Sequence, residues 1–420
     1  MKLKPYYLGL VMLILLGLTA SSAFGVGSAG TVTGGTFPAC VDPANTNTST
    51  VKIGGKQVAP GGLVRAPVGT TCLSSETTLN LNSYVKTILV SPGPDNVVIG
   101  NNLRTAVNNA PTRTLVKVEP GTFDLATTPL IMKQGVDLEG SGEGLTTITS
   151  QIVSANLPLT SGTVVLASSS EVRFLSILNT GNGGSTLNSA VYSTGVNITS
   201  KLTNVTVSTN GNSSGNYGIY NNINSSPSIQ NTTISATGGS INYGFYNYNS
   251  SSPIIENSTI SVGVGSSNNY GIYNVFYSAP AIQNSTITVS GSSTQNKGIY
   301  NSNSSPIVQN STITVSESSA NNYGMQNIHS FPTVQNSTIS VSVSGPGFTY
   351  GIYNELGSSS TIQHSTISSR GGSSNSVFND PPSSVKVGSS QLDGILVGGG
   401  SFTCVASYDA NFVALGPNCT

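Results

Sequence analysis

The chain is predicted to be an all-β parallel β-helix: a solenoid of roughly ten coils with a short capping helix before it and a disulfide-closed tail after it. Three observations carry this expectation. A six-residue phrase, Asn-Tyr-Gly-Ile-Tyr-Asn at 216–221, recurs in variant form at 242–247, 269–274, 296–301, 322–327 and 349–354. Its glycine falls at 218, 244, 271, 298, 324 and 351, a period of 26 or 27 residues. Self-similarity at that length marks repeats that bury their apolar side only by stacking on one another. Finally, Ile and Val keep a fixed register through all six repeats, which a disordered tract of Asn, Ser, Thr and Gly has no reason to do.

Each repeat holds three strand-like runs. In 242–268 they are 243–246, 253–256 and 258–262. Side chains alternate within a run, as a half-buried strand requires. The first run places Ile219, Phe245, Ile272, Ile299, Met325 and Ile352 inside. The second places Ile229, Ile255, Ile282, Val308, Val334 and Ile362, and the third Ile234, Ile260, Ile287, Ile313, Ile339 and Ile367. Three inward stacks around one coil make a continuous core. Length variation falls mainly after the third run, where Gly, Ser and Asn predict a loop.

The corner between second and third runs carries Asn231, Asn257, Asn284, Asn310 and Asn336, with Asn204 in an earlier, looser rung and His364 in the last. Asn tolerates the left-handed backbone that a tight corner needs, and these amides are expected to face inward and stack as a structural ladder. A second file, Asn221, Asn247, Asn274, Asn301, Asn327 and Asn354, follows the first run. The corner asparagines create Asn-x-Ser/Thr sequons, but an inward amide carries no glycan, so no modification is expected there. The glycine of the phrase is expected to leave space beside the tyrosines.

Ahead of the repeats, Lys2 and Lys4, an apolar run at 8–18 and small residues up to Ala23 read as a secretory signal over 1–23. An N-terminal segment over 24–84 contains Cys40 and Cys72. The solenoid is expected over 85–400, with its regular coils at 189–368, and a capping tail over 401–420. Irregular first coils are expected at 115–119, 130–133, 136–139 and 146–150. A helix over 101–110, with Leu103, Ala106 and Val107 on one side, would cover the open lower end, which otherwise exposes unpaired strand edges. Four cysteines permit three pairings. In an exported chain with a long solenoid between them, the local pairs Cys40–Cys72 and Cys404–Cys419 are favoured. The C-x-x-C spacing of a metal site is missing and the histidines are His329 and His364, so neither metal nor cofactor is expected.

Composition excludes several partners. Charged residues make up 7% of the chain, the formal net charge is zero and there is no Trp. Neutrality removes the electrostatic case for nucleic acid, and after the signal no further long apolar stretch predicts a membrane span. The expected location is outside the cytoplasm, secreted or at the cell surface, with the periplasm as an alternative.

The run 115–150, with Val-Glu-Pro-Gly-Thr-Phe and then Gly-Val-Asp-Leu-Glu-Gly-Ser-Gly-Glu, resembles the opening coils of the pectin-lyase-like superfamily of right-handed β-helices. Val-Arg-Phe-Leu-Ser-Ile-Leu-Asn-Thr-Gly at 172–181, the Tyr-Gly-Ile-Tyr-Asn repeats and the Cys-Val-Ala-Ser-Tyr-Asp-Ala-Asn-Phe tail from Cys404 look like secreted bacterial β-helix repeat proteins of unassigned function. The resemblance covers roughly 85–420, and 38–82 resembles a two-cysteine segment of other bacterial surface proteins. It implies fold more than activity. The Asn-Thr-Asp, Asp-Asp and Gly-His-Gly segments of the superfamily's polygalacturonases do not occur, and the six repeats hold no Asp for a methylesterase site. Glu256, Glu317 and Glu355 are scattered, and Lys297 and Arg370 lack acidic neighbours in register, unlike a calcium-dependent lyase. Asp124, Asp137, Glu139, Glu143 and Arg173 in the early coils are the remaining acid–base candidates, with Glu139 and Glu143 expected in turns.

The expected function is therefore non-catalytic: polysaccharide or cell-envelope binding, or adhesion. The alternatives are a polysaccharide-degrading enzyme of the superfamily's kind, a purely structural surface rod, and an ice-binding face. The binding expectation rests on an outward file of Tyr192, Tyr220, Tyr246, Tyr273, Tyr300 and Tyr353, interrupted by Gln326, whose rings would stack on sugars. The ice-binding alternative rests on Thr206, Thr233, Thr259, Thr286, Thr312, Thr338 and Thr366 with Ser or Thr two residues on.

Overall fold

The protein, seen in a computed structural model, is described for residues 84–317 and 320–420, and for the backbone of strands Val32–Thr33, Pro38–Val41, Val51–Ile53, Lys56–Val58 and Thr77–Asn80. The signal at 1–23 and the side chains of Cys40 and Cys72 lie outside the described residues. The chain divides into two compact units, Met1–Ile88 and Leu89–Thr420. In the first, Pro38–Val41 pairs antiparallel with Thr77–Asn80, and Val51–Ile53 with Lys56–Val58.

The second unit is a parallel β-helix of eleven coils, since the sheet built from first-run strands has eleven members. Each coil hydrogen-bonds to the next in parallel register. Ile219 opposes Phe245, which opposes Ile272, then Ile299, Met325 and Ile352. The second- and third-run apolar files pair in the same way, Ile229 on Ile255 and Ile234 on Ile260. Every one of these side chains is fully buried, and complete burial of an Ile contributes roughly 1.5–3 kcal/mol. One coil could not dry such a core on its own, which is why the fold needs its repeats.

The glycine of the phrase serves the inside of the coil. A Cβ on Gly218, Gly244, Gly271, Gly298, Gly324 or Gly351 would lie 2.2–2.5 Å from Cγ2 of the third-run Ile, and 2.4–2.7 Å from the backbone oxygen one coil on. The first strand thus presses its backbone against the third-strand isoleucines. The space is required there, and not beside the tyrosines as expected.

The corner asparagines differ from expectation in a related way. Asn204, Asn231, Asn257, Asn284, Asn310, Asn336 and His364 all adopt φ of 48–53°, the left-handed conformation Asn accepts. From Asn231 to Asn336 and at His364, however, the side chains are exposed, so no inward amide ladder forms at this corner. The next residue does the stacking: the backbone N–H of Ser258 donates to Ser285 Oγ, Ser285 to Ser311, Ser311 to Ser337 and Ser337 to Ser365, each at 3.1 Å. The buried amide ladder is the other file. Asn221, Asn247, Asn274, Asn301, Asn327 and Asn354 are fully buried, and each Nδ2 donates to the Oδ1 above at 2.7–2.8 Å. Asn242, Asn269 and Asn296 form a second such run. A buried amide with both ends bonded carries no desolvation debt, and the coils from Asn221 to Asn379 are held in register.

The capping helix runs Asn96–Asn109, five residues earlier than expected, because Asp95 caps it: its Oδ1 accepts from Val97 N–H and Val98 N–H at 2.9 and 3.1 Å. Ile99, Gly100, Leu103 and Val107 face the coil; Ala106 is only half-buried. At the other end, Ser401–Val405 pairs in parallel with Ser384–Gly388, so coil pairing continues past the boundary expected at 400. The Cys404–Cys419 disulfide then closes the tail, with Cα atoms 5.1 Å apart.

Candidate functional site: the tyrosine face and its interruption

Alternation around the buried Asn221 and Ile219 turns Tyr220 away from the interior, and the tyrosines form an apolar cluster of their own, separate from the Ile/Val core. The expected file is one of two. Tyr217, Tyr243, Tyr270, Tyr323 and Tyr350 make a second, three residues upstream in each coil. Rings stack along the solenoid, Tyr220–Tyr246 and Tyr246–Tyr273 at 4.9 Å and Tyr273–Tyr300 at 4.7 Å between centroids. Across the files they meet edge to face, as in Tyr243–Tyr246 at 5.2 Å. Coil spacing sets these distances, and both geometries suit the ring quadrupole.

Stacking changes what the face offers. Tyr220, Tyr243 and Tyr246 have rings stacked on both faces, Tyr217 is stacked on one face and Tyr270 lies between Tyr243 and Lys297; all five are at least nine-tenths buried. Tyr192 is buried as well, while Tyr273, Tyr300 and Tyr353 are half-buried. Within the regular stack, ring edges rather than open ring faces reach solvent. Burial pushes the phenols of Tyr217, Tyr220, Tyr243, Tyr246 and Tyr270 well above their ordinary range; Tyr273 rises to about 12, with Tyr300 adding to the effect.

The stack is broken once in each file, in consecutive coils. Lys297 stands in register between Tyr270 and Tyr323, and Gln326 between Tyr300 and Tyr353. The Lys297 ammonium lies 5.1–5.3 Å from the ring centroids of Tyr270, Tyr300 and Tyr323, a cation–π arrangement. Burial lowers its pKa to about 8, an effect the nearby Glu355 carboxylate partly offsets. Gln326 Nε2 donates to Glu355 Oε1 at 2.7 Å, while Gln326 Oε1 is buried and accepts no hydrogen bond within the described protein. Glu355 is thus an acidic group near Lys297, though it stands in register with Ser302 and not with Lys297. Sequence register missed it because Glu355 lies two coils away and further along the strand.

The early-coil carboxylates are engaged with one arginine. Arg173 meets Glu139 at 2.9 Å, Glu171 at 2.7 Å and Asp137 at 3.9 Å, and Lys117 meets Glu139 at 3.3 Å. Glu139 lies in the strand Val136–Glu139, not in a turn as expected. Glu143 does sit in a turn and accepts from Thr206 Oγ1, and Asp124 caps Ala126 N–H at 2.8 Å. Arg370, expected to lack an acidic neighbour in register, pairs at 2.8 Å with Asp393, which stands opposite Ser368 on the next coil. Among the described residues no group of three His, Cys, Asp or Glu side chains is placed to hold a metal ion. The threonine file is in register, with Thr233, Thr259, Thr286, Thr312 and Thr338 exposed. No described helix is long and apolar enough to cross a membrane.

No protein-family model matches the chain, and no curated protein matches it. Among solved structures it is similar to the A-module of a mannuronan C-5 epimerase from Azotobacter vinelandii, at 14% identity over 77% of this chain and 94% of that one, with a TM-score of 0.37. It is similar to the catalytic unit of an α-1,3-glucanase from Streptomyces thermodiastaticus, at 11% identity over 92% and 85%, TM-score 0.45. A pectate lyase is similar at 12% identity over 74% and 75%, TM-score 0.40. The fold itself rests on the chain's own strand register.

Proposed function

We propose that this chain is a carbohydrate-binding β-helix displayed outside the cytoplasm, and that it recognises glycan at the interruption of its tyrosine stack. The observation that carries the reading is the group formed by Lys297, Tyr300, Gln326 and Glu355. It combines an ammonium held over aromatic rings, a half-buried ring with its stack broken on one side, and a buried Gln326 Oε1 that a sugar hydroxyl would satisfy. The flanking phenol edges supply further hydroxyl contacts. The Cys404–Cys419 disulfide fits an oxidising compartment.

The test is retention of the full chain on insoluble polysaccharides (cellulose, chitin, cross-linked pectin and peptidoglycan sacculi), comparing wild type with Lys297→Met, Tyr300→Ala and Tyr273→Ala. Retention of the wild type with at least a tenfold loss in Lys297→Met and Tyr300→Ala supports the reading. Equal retention of all four proteins, or none by the wild type, removes it.

One observation favours an enzymatic alternative. An amine with a pKa near 8 is partly neutral close to physiological pH and is able to take a proton. Release of soluble sugar from these polymers by the wild type, abolished in Lys297→Met, would replace binding with catalysis.

A further inference from the structure

The corner between first and second strands carries a feature that the tyrosine stack does not explain. In each regular coil the residue after the first strand is left-handed: Ile223, Asn249, Phe276, Asn303, His329 and Leu356 have φ of 42–55°. In three coils the next residue is left-handed too, namely Asn224, Ser250 and Tyr277, with φ of 54–65°. Asn and Ser answer this geometry with short side chains, and Asn is among the residues best suited to it. Ile223, His329 and Leu356 each bring one bulky residue to it, but Phe276–Tyr277 is the described pair in which both successive left-handed residues are bulky. A bulky side chain in this region costs on the order of 1 kcal/mol or more, and burial returns little, because Phe276 is 51% and Tyr277 75% exposed. The coil below manages the same corner with Asn249–Ser250.

The Phe276 ring and the Tyr277 backbone are held, and their surroundings are neutral. Phe276 packs edge-to-face on Tyr248 with centroids 5.3 Å apart, and Tyr248 in turn stacks on Tyr246. Tyr277 N–H donates to Asn303 O at 2.8 Å, fixing its backbone. Asn249 and Asn303 are exposed on the adjacent coils and Asn224 two coils away, and these corner positions hold no Lys, Arg, Asp or Glu. A membrane-seeking loop draws on basic residues for headgroups, and two rings fall far short of the roughly 800 Å² per partner of a stable protein interface. Open ring faces beside amides and hydroxyls suit a sugar, whose C–H face stacks while its hydroxyls hydrogen-bond.

We infer that Phe276 and Tyr277 form a second glycan platform, at the first corner of the solenoid, that takes uncharged polysaccharide. It rests on the carbohydrate reading above for the class of ligand, but not on Lys297. The double variant Phe276→Asn/Tyr277→Ser installs the pair the chain itself uses at 249–250, so it should fold, with a Tm equal to or above wild type. The probes are microcrystalline cellulose, insoluble β-1,3-glucan and chitin. Wild type is expected to be retained on at least one, with at least a tenfold weaker apparent Kd for the double variant and a partial loss for Tyr277→Ser alone. Unchanged retention of the double variant, no retention of wild type on any of the three, or a Tm drop of several degrees, which would make the rings structural, overturns the inference. Loss of retention in Lys297→Met but not in the double variant leaves the tyrosine-face reading standing and this one refuted; the converse leaves this platform standing and refutes the other.

Discussion

Gly271 and Ile287 are packed so closely that a Cβ on the glycine would lie 2.4 Å from Cγ2 of the isoleucine and 2.5 Å from the Gly298 backbone oxygen. Such a contact is impossible for a real Cβ, and one of the two obstacles is backbone. Gly271→Ala is therefore expected to destabilise the solenoid by roughly 3 kcal/mol through overpacking. Gly345, which has nothing within 4 Å of its Cβ position, is the control: Gly345→Ala should leave the thermal midpoint within a degree or two.

The two asparagine files should respond to different degrees. Asn274→Ala leaves Asn247 Nδ2 without an acceptor and Asn301 Oδ1 without its donor, inside a fully buried ladder. A loss of about 2–4 kcal/mol is expected in denaturant melts. Asn257 is an exposed left-handed corner residue, so Asn257→Gly should cost no more than a few tenths and Asn257→Ala about 1 kcal/mol. Equal losses at Asn274 and Asn257 would contradict the division between ladder and corner.

Stability should vary with pH in two directions. Lys297 titrates near 8 when folded and near 10.5 when unfolded, because burial penalises its charge. Between these values the unfolded chain binds more protons, so stability rises with pH across that window. The buried tyrosines shift the opposite way, Tyr273 and Tyr323 each to about 12. Above pH 10 the unfolded chain releases phenolic protons that the folded chain keeps, and stability falls. Lys297→Met should abolish the rise between pH 8 and 10 while leaving the alkaline fall intact, as read from thermal midpoints in matched buffers.

Lys297→Tyr restores the aromatic register between Tyr270 and Tyr323 and removes a desolvated charge. A gain of roughly 1 kcal/mol is expected, together with loss of glycan retention if Lys297 makes the contact. A fall in stability would show that the cation–π contacts outweigh the desolvation of the ammonium.

Reduction of Cys404–Cys419 should loosen the last coil without melting the solenoid. The loop it closes is short, with a sequence separation of 15, and coils depend on their nearest neighbours. Hydrogen exchange is expected to accelerate at 401–420 and to stay unchanged in the Asn221–Asn354 ladder; uniform acceleration would place the tail in the folding of the whole helix.

What the sequence determined by itself was the repeat, its three apolar stacks, the left-handed corners and the closing disulfide. All of these follow from local rules: strand alternation, the backbone tolerance of Asn, and a period that places like residue on like residue. Tertiary structure decided what those rules leave open. The alternation that sends Tyr220 away from the core cannot tell an open ring from a stacked one, because its faces are filled by Tyr192 and Tyr246 from other coils. The corner Asn reads the same in sequence whether its amide turns in or out, and the packing of Ser258 on Ser285 settles it. Lys297 feels the Glu355 carboxylate across two coils because the solenoid sets Tyr350, the residue in register with Lys297, two strand spacings away, roughly 10 Å, with Glu355 further along that same strand, a proximity that no single strand's pattern contains.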